Sequence, residues 1–560
     1  MAAKHLKSAQ SNKESLRVCK MDSKQSFPHL KTSDSESGAT SLSVGRSAAM
    51  MGVLVIISRI TGFLRVWAQA YALGTSLLAS CYTLANNMPN QLYELVLGGM
   101  IITAFLPVYV SVKEHKGADG ANSYLSNLLS LVAILMTVLT VLCIVFAAQL
   151  VYIQSAGTDQ SDMANAVWLL RFFAIEVLLY ALSSLISGVI NAERDYFWSN
   201  AAPIFNNIVT IASFVLFIVF KEINFPLALL LLALGNPLGV LVQVVLQIPS
   251  LRRHGIKISF HVDLHDPALK DTFAIGIPTL IVTACSFVTV AIMNTFALIA
   301  IPEQGGSVQY YARLWYTLPY SVFSIPITTA MFTELAQLYA KKDKKGFIQC
   351  FSKGASDIVF FLIPCAMFLI VFAEPLMLLL RMGAFSKESA QLTAQYLAVL
   401  SFGLPAYGLV TYFQKTFSSI RKMISYAFTH IVASVFQIVF TAVATEYLGI
   451  AAVALGSVLY YVVVDVISVH LLKSYIKSIR MRSVYLSGLW SLGLGAIGSA
   501  CGYGVFTLLQ MVSPLTGSLI QIFVYLIIVG FSSFATAFIP AILLNLPQMN
   551  YFTKLLKRNH

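Results

Sequence analysis

The feature that most constrains this chain is a succession of apolar runs, each long enough to cross a bilayer, beginning near Ser47 and continuing almost to the C-terminus. Fourteen can be placed, at 48–73, 78–111, 123–153, 164–191, 201–220, 226–250, 269–300, 307–340, 347–372, 389–419, 424–445, 449–472, 484–511 and 517–546; in chain order they are segments 1 to 14. A spanning helix needs about 20 residues, and an unclosed strand could not satisfy its backbone in lipid, so the segments read as helices. Composition agrees: 58% of the 560 residues are hydrophobic and 11% are charged, where a soluble domain carries about 25% charged residues. The expected fold class is all-α, a polytopic membrane protein with 14 transmembrane helices.

The charge locates the chain in the membrane. Residues 1–46, with ten Ser, eight Lys/Arg and four Asp/Glu, read as a disordered tail with no signal-peptide core. An even number of spans puts both termini on one side, and every second connection then shares that side. Of the 37 Lys/Arg, 30 fall in the two tails and those alternate connections. The remaining connections hold Lys221, Arg381 and Lys387, and four arginines lie inside spans. By the positive-inside rule the N- and C-termini are cytoplasmic. The net charge of +13 is therefore mainly topology, with attraction to membrane lipid headgroups as a second consequence and no need for nucleic acid.

Enzymatic motifs are missing. There is no phosphate loop ending in Gly-Lys-Ser/Thr, no His-Glu-x-x-His and no Gly-x-Ser-x-Gly. The expectation is a transporter rather than an enzyme, with no cofactor. The acids Glu94, Glu176, Glu334 and Asp465 are dispersed, and the seven cysteines form no Cys-x-x-Cys. His254, His261, Asp263, His265 and Asp266 read as a solvated turn rather than a metal site, so no metal is expected.

Charges at membrane depth are costly and usually face a partner or a wet cavity. Arg59 lies thirteen residues beyond Arg46, about 20 Å along the helix and past comfortable snorkelling range. Arg65 follows on the same segment, and Arg313 follows Tyr310-Tyr311 in segment 8. These three arginines, with Asn90, are the candidate substrate-binding residues. Arg171 is expected to be interfacial or paired with Glu176. Glu94 is the candidate charge partner in the cavity, expected to pair with Arg59 or Arg65. Pro89 and Pro319 interrupt segments 2 and 8 and are the candidate hinges.

Those two segments echo each other. Pro89 precedes Gly117 by 28 residues and Pro319 precedes Gly346 by 27, each glycine closing a basic turn. The even offset of six helices implies two pseudo-symmetric lobes related about the membrane normal. The expected divisions are a tail at 1–46, an N-terminal lobe at 47–251 (segments 1–6), a cytoplasmic interlobe loop at 252–268, a C-terminal lobe at 269–475 (segments 7–12), two further helices at 484–546 and a cytoplasmic tail at 547–560.

Ser58-Arg59-Ile60-Thr61-Gly62-Phe63-Leu64-Arg65, then Met88-Pro89-Asn90, Gly98-Gly99 and Phe105-Leu106-Pro107, resemble the start of the MurJ (MviN) lipid II flippases of the multidrug/oligosaccharidyl-lipid/polysaccharide exporter superfamily. Gly188-Val189-Ile190-Asn191, Ala202-Pro203, Asn207 and Tyr310-Tyr311-Ala312 add to the likeness, which spans roughly residues 47–475. The resemblance implies a fourteen-helix fold, cavity arginines holding the pyrophosphate of a lipid-linked peptidoglycan precursor, and a groove at the last two helices for its polyprenyl tail. Arg59 and Arg65 stand at matching positions. The chain departs where many members carry an Arg-Arg pair after Pro-Asn, having Tyr93-Glu94 instead. It departs again in having Ser80 at an often acidic position, and Arg313-Leu314 where Asp-Arg is expected. Leu92-Tyr93-Glu94-Leu95 with Gly98-Gly99 is similar to the actinobacterial version.

The expected function is a flippase that moves lipid II (a polyprenyl-pyrophosphate-linked disaccharide peptide) across the bacterial cytoplasmic membrane by alternating access. Membrane lipids are its surroundings, and the cell-wall synthesis machinery is a further candidate partner. The alternatives are an ion-coupled exporter of drugs or of other polyprenyl-linked saccharides, and a non-transporting cell-wall scaffold. With no nucleotide site, the drive must be the membrane potential, an ion gradient or consumption of product.

Overall fold

Segment 1 is the end of one long helix, Asp34–Leu73, whose apolar span is Val53–Leu73. The helix thus reaches back into the stretch expected to be disordered. No proline stands between residues 29 and 88, so a helix held by its apolar end can propagate backward through Ser and Ala. The structure, a computed structural model, describes residues 34–98, 105–156, 159, 162–193, 195–476, 479, 481–514 and 518–549, with backbone alone at 34–49, 52, 98, 106–107 and 267–282. The rest of both tails lies outside the described residues. The chain divides into two units between Val53 and Leu54, and the hydrophobic cores all belong to the second.

Among the described residues there is no strand, and eleven helices are long and apolar enough to span a bilayer, or twelve when the bent pair Lys387–Ser401 and Leu404–Ser419 counts as one. Fourteen is not reached by that measure. The two segments that fail it are 2, whose residues 99–104 lie outside the described residues, and 8, which is divided by a π turn. Helix Leu77–Tyr93 contains Pro89 and passes into a π-helical turn, Glu94–Gly98. Helix Gly305–Pro319 ends on Pro319 and passes into another, Tyr320–Ser324. A proline withholds one N–H from the ladder, and widening to π geometry absorbs the offset.

Side chains pack into two main cores. One gathers Ala68, Ala72 and Leu73 with residues of segments 2–6; the other gathers Ala70 with residues of segments 7–12 and neighbours in 13 and 14. The C-terminal end of segment 1 therefore wedges between both. Segment 13 (Met481–Val512) lies against segment 9 (Lys344–Val371), where the hydroxyls of Ser487 and Ser491 donate to the carbonyls of Ser356 and Phe360. Segment 14 (Leu519–Leu543) closes on segment 13 through small residues: a Cβ added at Gly498 or Gly502 would overlap Ser533.

The hydrogen bonds that join the two main cores gather at one end. Thr75 donates to Gln304 and shares a bond with Ser389; Ser80 bonds the Glu303 carbonyl and the Ser307 amide. Asn294 donates to Gln154 at 2.8 Å, and the Ala384 amide donates to the Tyr71 carbonyl at 2.9 Å. All lie where segments 1, 3 and 7 finish and segments 2 and 8 begin. The opposite end shows no comparable cluster of such bonds among the described residues.

Candidate functional site

Beneath that seal is a cavity of about 350 Å³ between the cores. Segment 1 contributes Val66; segment 2, Thr83 and Asn87; segment 7, Asn294; segment 8, Gln309, Tyr310, Arg313 and Thr317. Arg313 thus stands on the wall. Behind it are Tyr316, Tyr396, Tyr407 and Tyr461 of the second core, with the Tyr407 ring packed at a tilt between Tyr320 (4.5 Å) and Tyr461 (5.0 Å). These rings present hydroxyls and π faces but no carboxylate, so the guanidinium is cradled without being neutralised.

Arg65 is half-buried on the opposite side, in the first core beside Tyr82 and Tyr180 and within hydrogen-bonding reach of the cavity residue Tyr310. Its acidic neighbour is Glu176, which is fully buried and accepts from Asn236 Nδ2 at 3.3 Å. Glu94 does not take that place. The ion pairs among the described residues are Lys113–Glu193, Lys221–Glu222 and His265–Asp263, and none includes Arg59, Arg65 or Glu94. For Arg65 the reason is depth. Arg65 is eight residues from the end of its helix at Leu73, whereas Glu94 is seventeen residues from the start of its own at Leu77, an offset of about 14 Å along parallel axes. Arg171 is exposed and makes no pair with Glu176.

Arg59 is exposed and is not a lining residue. It lies seven residues, two turns, before Val66 and so on the same stripe of the helix. Of the exposed apolar residues around it, Val53, Ile57, Ile60 and Leu64 occupy another face, while Val55 shares the stripe of Arg59. Asn90 is also exposed, and the lining amide is Asn87, three residues earlier. On segment 2 the stripe Thr83, Asn87, Asn90, Glu94 continues from the cavity toward the unsealed end. The tyrosine cradle and Glu176 were not legible as a site, since they come from segments far apart in sequence. Among the described residues no group of His, Cys, Asp or Glu could hold a metal ion.

A sequence profile described as lipid II flippase MurJ matches residues 69–525. The chain belongs to the MurJ lipid II flippase family. It is 26% identical over 382 residues to a probable lipid II flippase MurJ of Rhizobium meliloti, covering 66% of this chain and 70% of that one. A lipid II flippase MurJ of Burkholderia cenocepacia is 23% identical over 366 residues, covering 64% and 70%. Among solved structures, a lipid II flippase MurJ in an inward closed conformation superposes with a TM-score of 0.68 at 18% identity, over 88% of this chain and 98% of that one. An inward-facing multidrug transporter of the MATE family gives 0.64 at 14%, over 76% and 94%. At those identities the two structures establish the shared fold. The chain is accordingly a multi-pass membrane transporter of the MurJ family and not an enzyme. The MurJ profile begins four residues beyond Arg65 and extends through segment 13 into segment 14, so Arg59 and Arg65 lie outside the matched stretch and Arg313 inside it.

Proposed function

We propose that this chain moves lipid II across the bacterial cytoplasmic membrane, with both termini in the cytoplasm, by exposing the interlobe cavity alternately to the two sides. The observation that carries the reading is a cavity whose wall bears Arg313 and whose lining includes no carboxylate. Anionic oxygens of a pyrophosphate lose water on entering a low-dielectric bundle, and guanidinium donors replace it with charge-assisted bonds. Arg313 and Arg65 hold the pyrophosphate from the two walls. Arg59 and Asn90 lie on the approach, and Glu94 tempers the positive field there. A cationic drug would want the reverse polarity, so the absence of a lining carboxylate weighs against drug export.

At about 350 Å³ the cavity is at the small end for a drug-sized ligand, and a sugar–peptide headgroup needs the lobes to part. Pro89 and Pro319 with their π turns are where segments 2 and 8 bend for that. The test is complementation of a flippase-depleted strain by Arg59, Arg65 and Arg313 variants, with membrane expression verified. Losing a charge-assisted contact of about 1.5–3 kcal/mol should slow transport by Arg313→Ala roughly ten- to hundredfold, with Arg313→Lys retaining part of it. Full complementation by well-expressed Arg65→Ala and Arg313→Ala variants would sink the site and favour a scaffold.

A further inference from the structure

The connection from segment 6 to segment 7 is an extended strap docked on segment 3. Helix Phe225–Arg253 ends at His254, the next helix begins at Pro267, and the chain between them climbs segment 3 and turns back. Asn122 donates to the Gly255 carbonyl; Ser126 bonds the Lys257 carbonyl and the Ser259 amide. Ser130 accepts from the His261 amide at 3.0 Å, and Asn127 clamps Asp263 with two bonds of 2.8 Å. The even positions are Ile256, Ile258, Phe260, Val262 and Leu264. Ile256 is buried, but Ile258, Phe260, Val262 and Leu264 are exposed, Phe260 by 79% and Leu264 by 68%.

Two independent facts identify what covers them. The first is depth. Ser130, at the top of the strap, is 24 residues before Gln154 at the far end of segment 3, at most about 36 Å by helical rise because the helix is interrupted at Phe146, against a hydrocarbon thickness of about 30 Å. The strap's tip is therefore at the headgroup–acyl boundary. The second is direction. Ile134, Val138, Val141 and Val145 are exposed and continue the helical stripe of Ser130, so the strap sits on the lipid-facing flank of segment 3. Arg252, Arg253 and Lys257 are exposed along its ascending limb, while Asp263 and Asp266 lie on the returning limb.

We propose that residues 255–264 are an interfacial anchor, seating Ile258, Phe260, Val262 and Leu264 at the headgroup–acyl boundary of the inner leaflet with Arg252, Arg253 and Lys257 on anionic lipid headgroups. The assignment to the inner leaflet rests on the cytoplasmic placement of both termini; the anchoring is independent of what is transported. Because the strap is the covalent link between lobes, it ties their relative motion to the leaflet beside it.

The test uses full-length Phe260→Trp in vesicles of phosphatidylglycerol and phosphatidylcholine brominated high on the acyl chains. The emission added over wild type should be largely quenched by the brominated lipid and poorly reached by acrylamide. Combined Arg252→Gln, Arg253→Gln and Lys257→Gln should weaken the quenching when the lipid is part anionic. Val262→Trp serves as the second probe should Phe260→Trp misfold. Emission at both positions quenched by acrylamide and untouched by brominated lipid would overturn the anchor, leaving a strap in water open to a protein partner. Bromolipid in both leaflets makes this readout blind to orientation and to transport, so a failure here is separable from a failure of either.

Discussion

A guanidinium inside a helical bundle needs water, a cradle or a countercharge, and the arginines of this chain meet that need differently. Arg313 faces the cavity with tyrosines behind it, and Arg65 has Glu176 and two tyrosines close by. Arg59 is exposed. Their presence in apolar segments is plain from sequence, because a charge in such a run is conspicuous. Their partners are not, since Glu176 and Tyr180 reach Arg65 only through the packing of segment 4 on segment 2. Outside the spans, Glu193 holds Lys113 at 2.5 Å and accepts from Tyr109. Burial would raise the Glu193 carboxyl, but the bonds from Lys113 and Tyr109 outweigh it and hold it below the ordinary glutamate value. A group with a depressed folded pKa contributes stability above its unfolded pKa and loses it as pH falls through the folded one. Glu193→Gln should thus lower thermal stability at pH 7, by about 1 kcal/mol or less for a pair whose lysine is exposed. The difference from wild type should vanish in acid below the usual glutamate range. A difference persisting unchanged there would assign the effect to packing.

At the scale of elements, two devices stand out, one bending helices and one sealing an end. Segments 2 and 8 each carry a proline followed by a π turn. Both prolines were legible; the π turns were not, because they depend on how neighbouring helices tolerate the widened backbone. Pro319→Ala should restore the helical bond and stiffen segment 8, reducing complementation while expression and thermal stability hold or rise. Unchanged complementation would make the bend static. The seal rests on two left-handed glycines: a Cβ at Gly74 would overlap the Ala384 carbonyl, and one at Gly383 the Tyr71 carbonyl. Only glycine combines that backbone with so close an approach. Gly383→Val should prop the seal open, which labelling of a cysteine placed at Thr75 by a membrane-impermeant maleimide would report as faster reaction than in the same cysteine background with Gly383. Equal rates would show the seal to be compliant.

For the whole molecule, the 30 of 37 basic residues in the tails and alternate connections predict cytoplasmic termini, which reporter fusions check. A fluorescent protein joined to the C-terminus should fold and shine, and an alkaline phosphatase joined there should be inactive; the reverse pattern would invert every assignment of inner and outer. All-helical class, family and membrane residence were legible in the chain, because an apolar run in lipid has one way to satisfy its backbone and each run signals this locally. The count of spans was less legible, since π turns follow the prolines of segments 2 and 8. The cavity's polarity, the identity of its lining amide as Asn87 rather than Asn90, and the failure of Glu94 to meet an arginine came from assembly alone. Those depend on the relative depth and rotation of helices far apart in sequence, quantities set by packing and carried by no single segment.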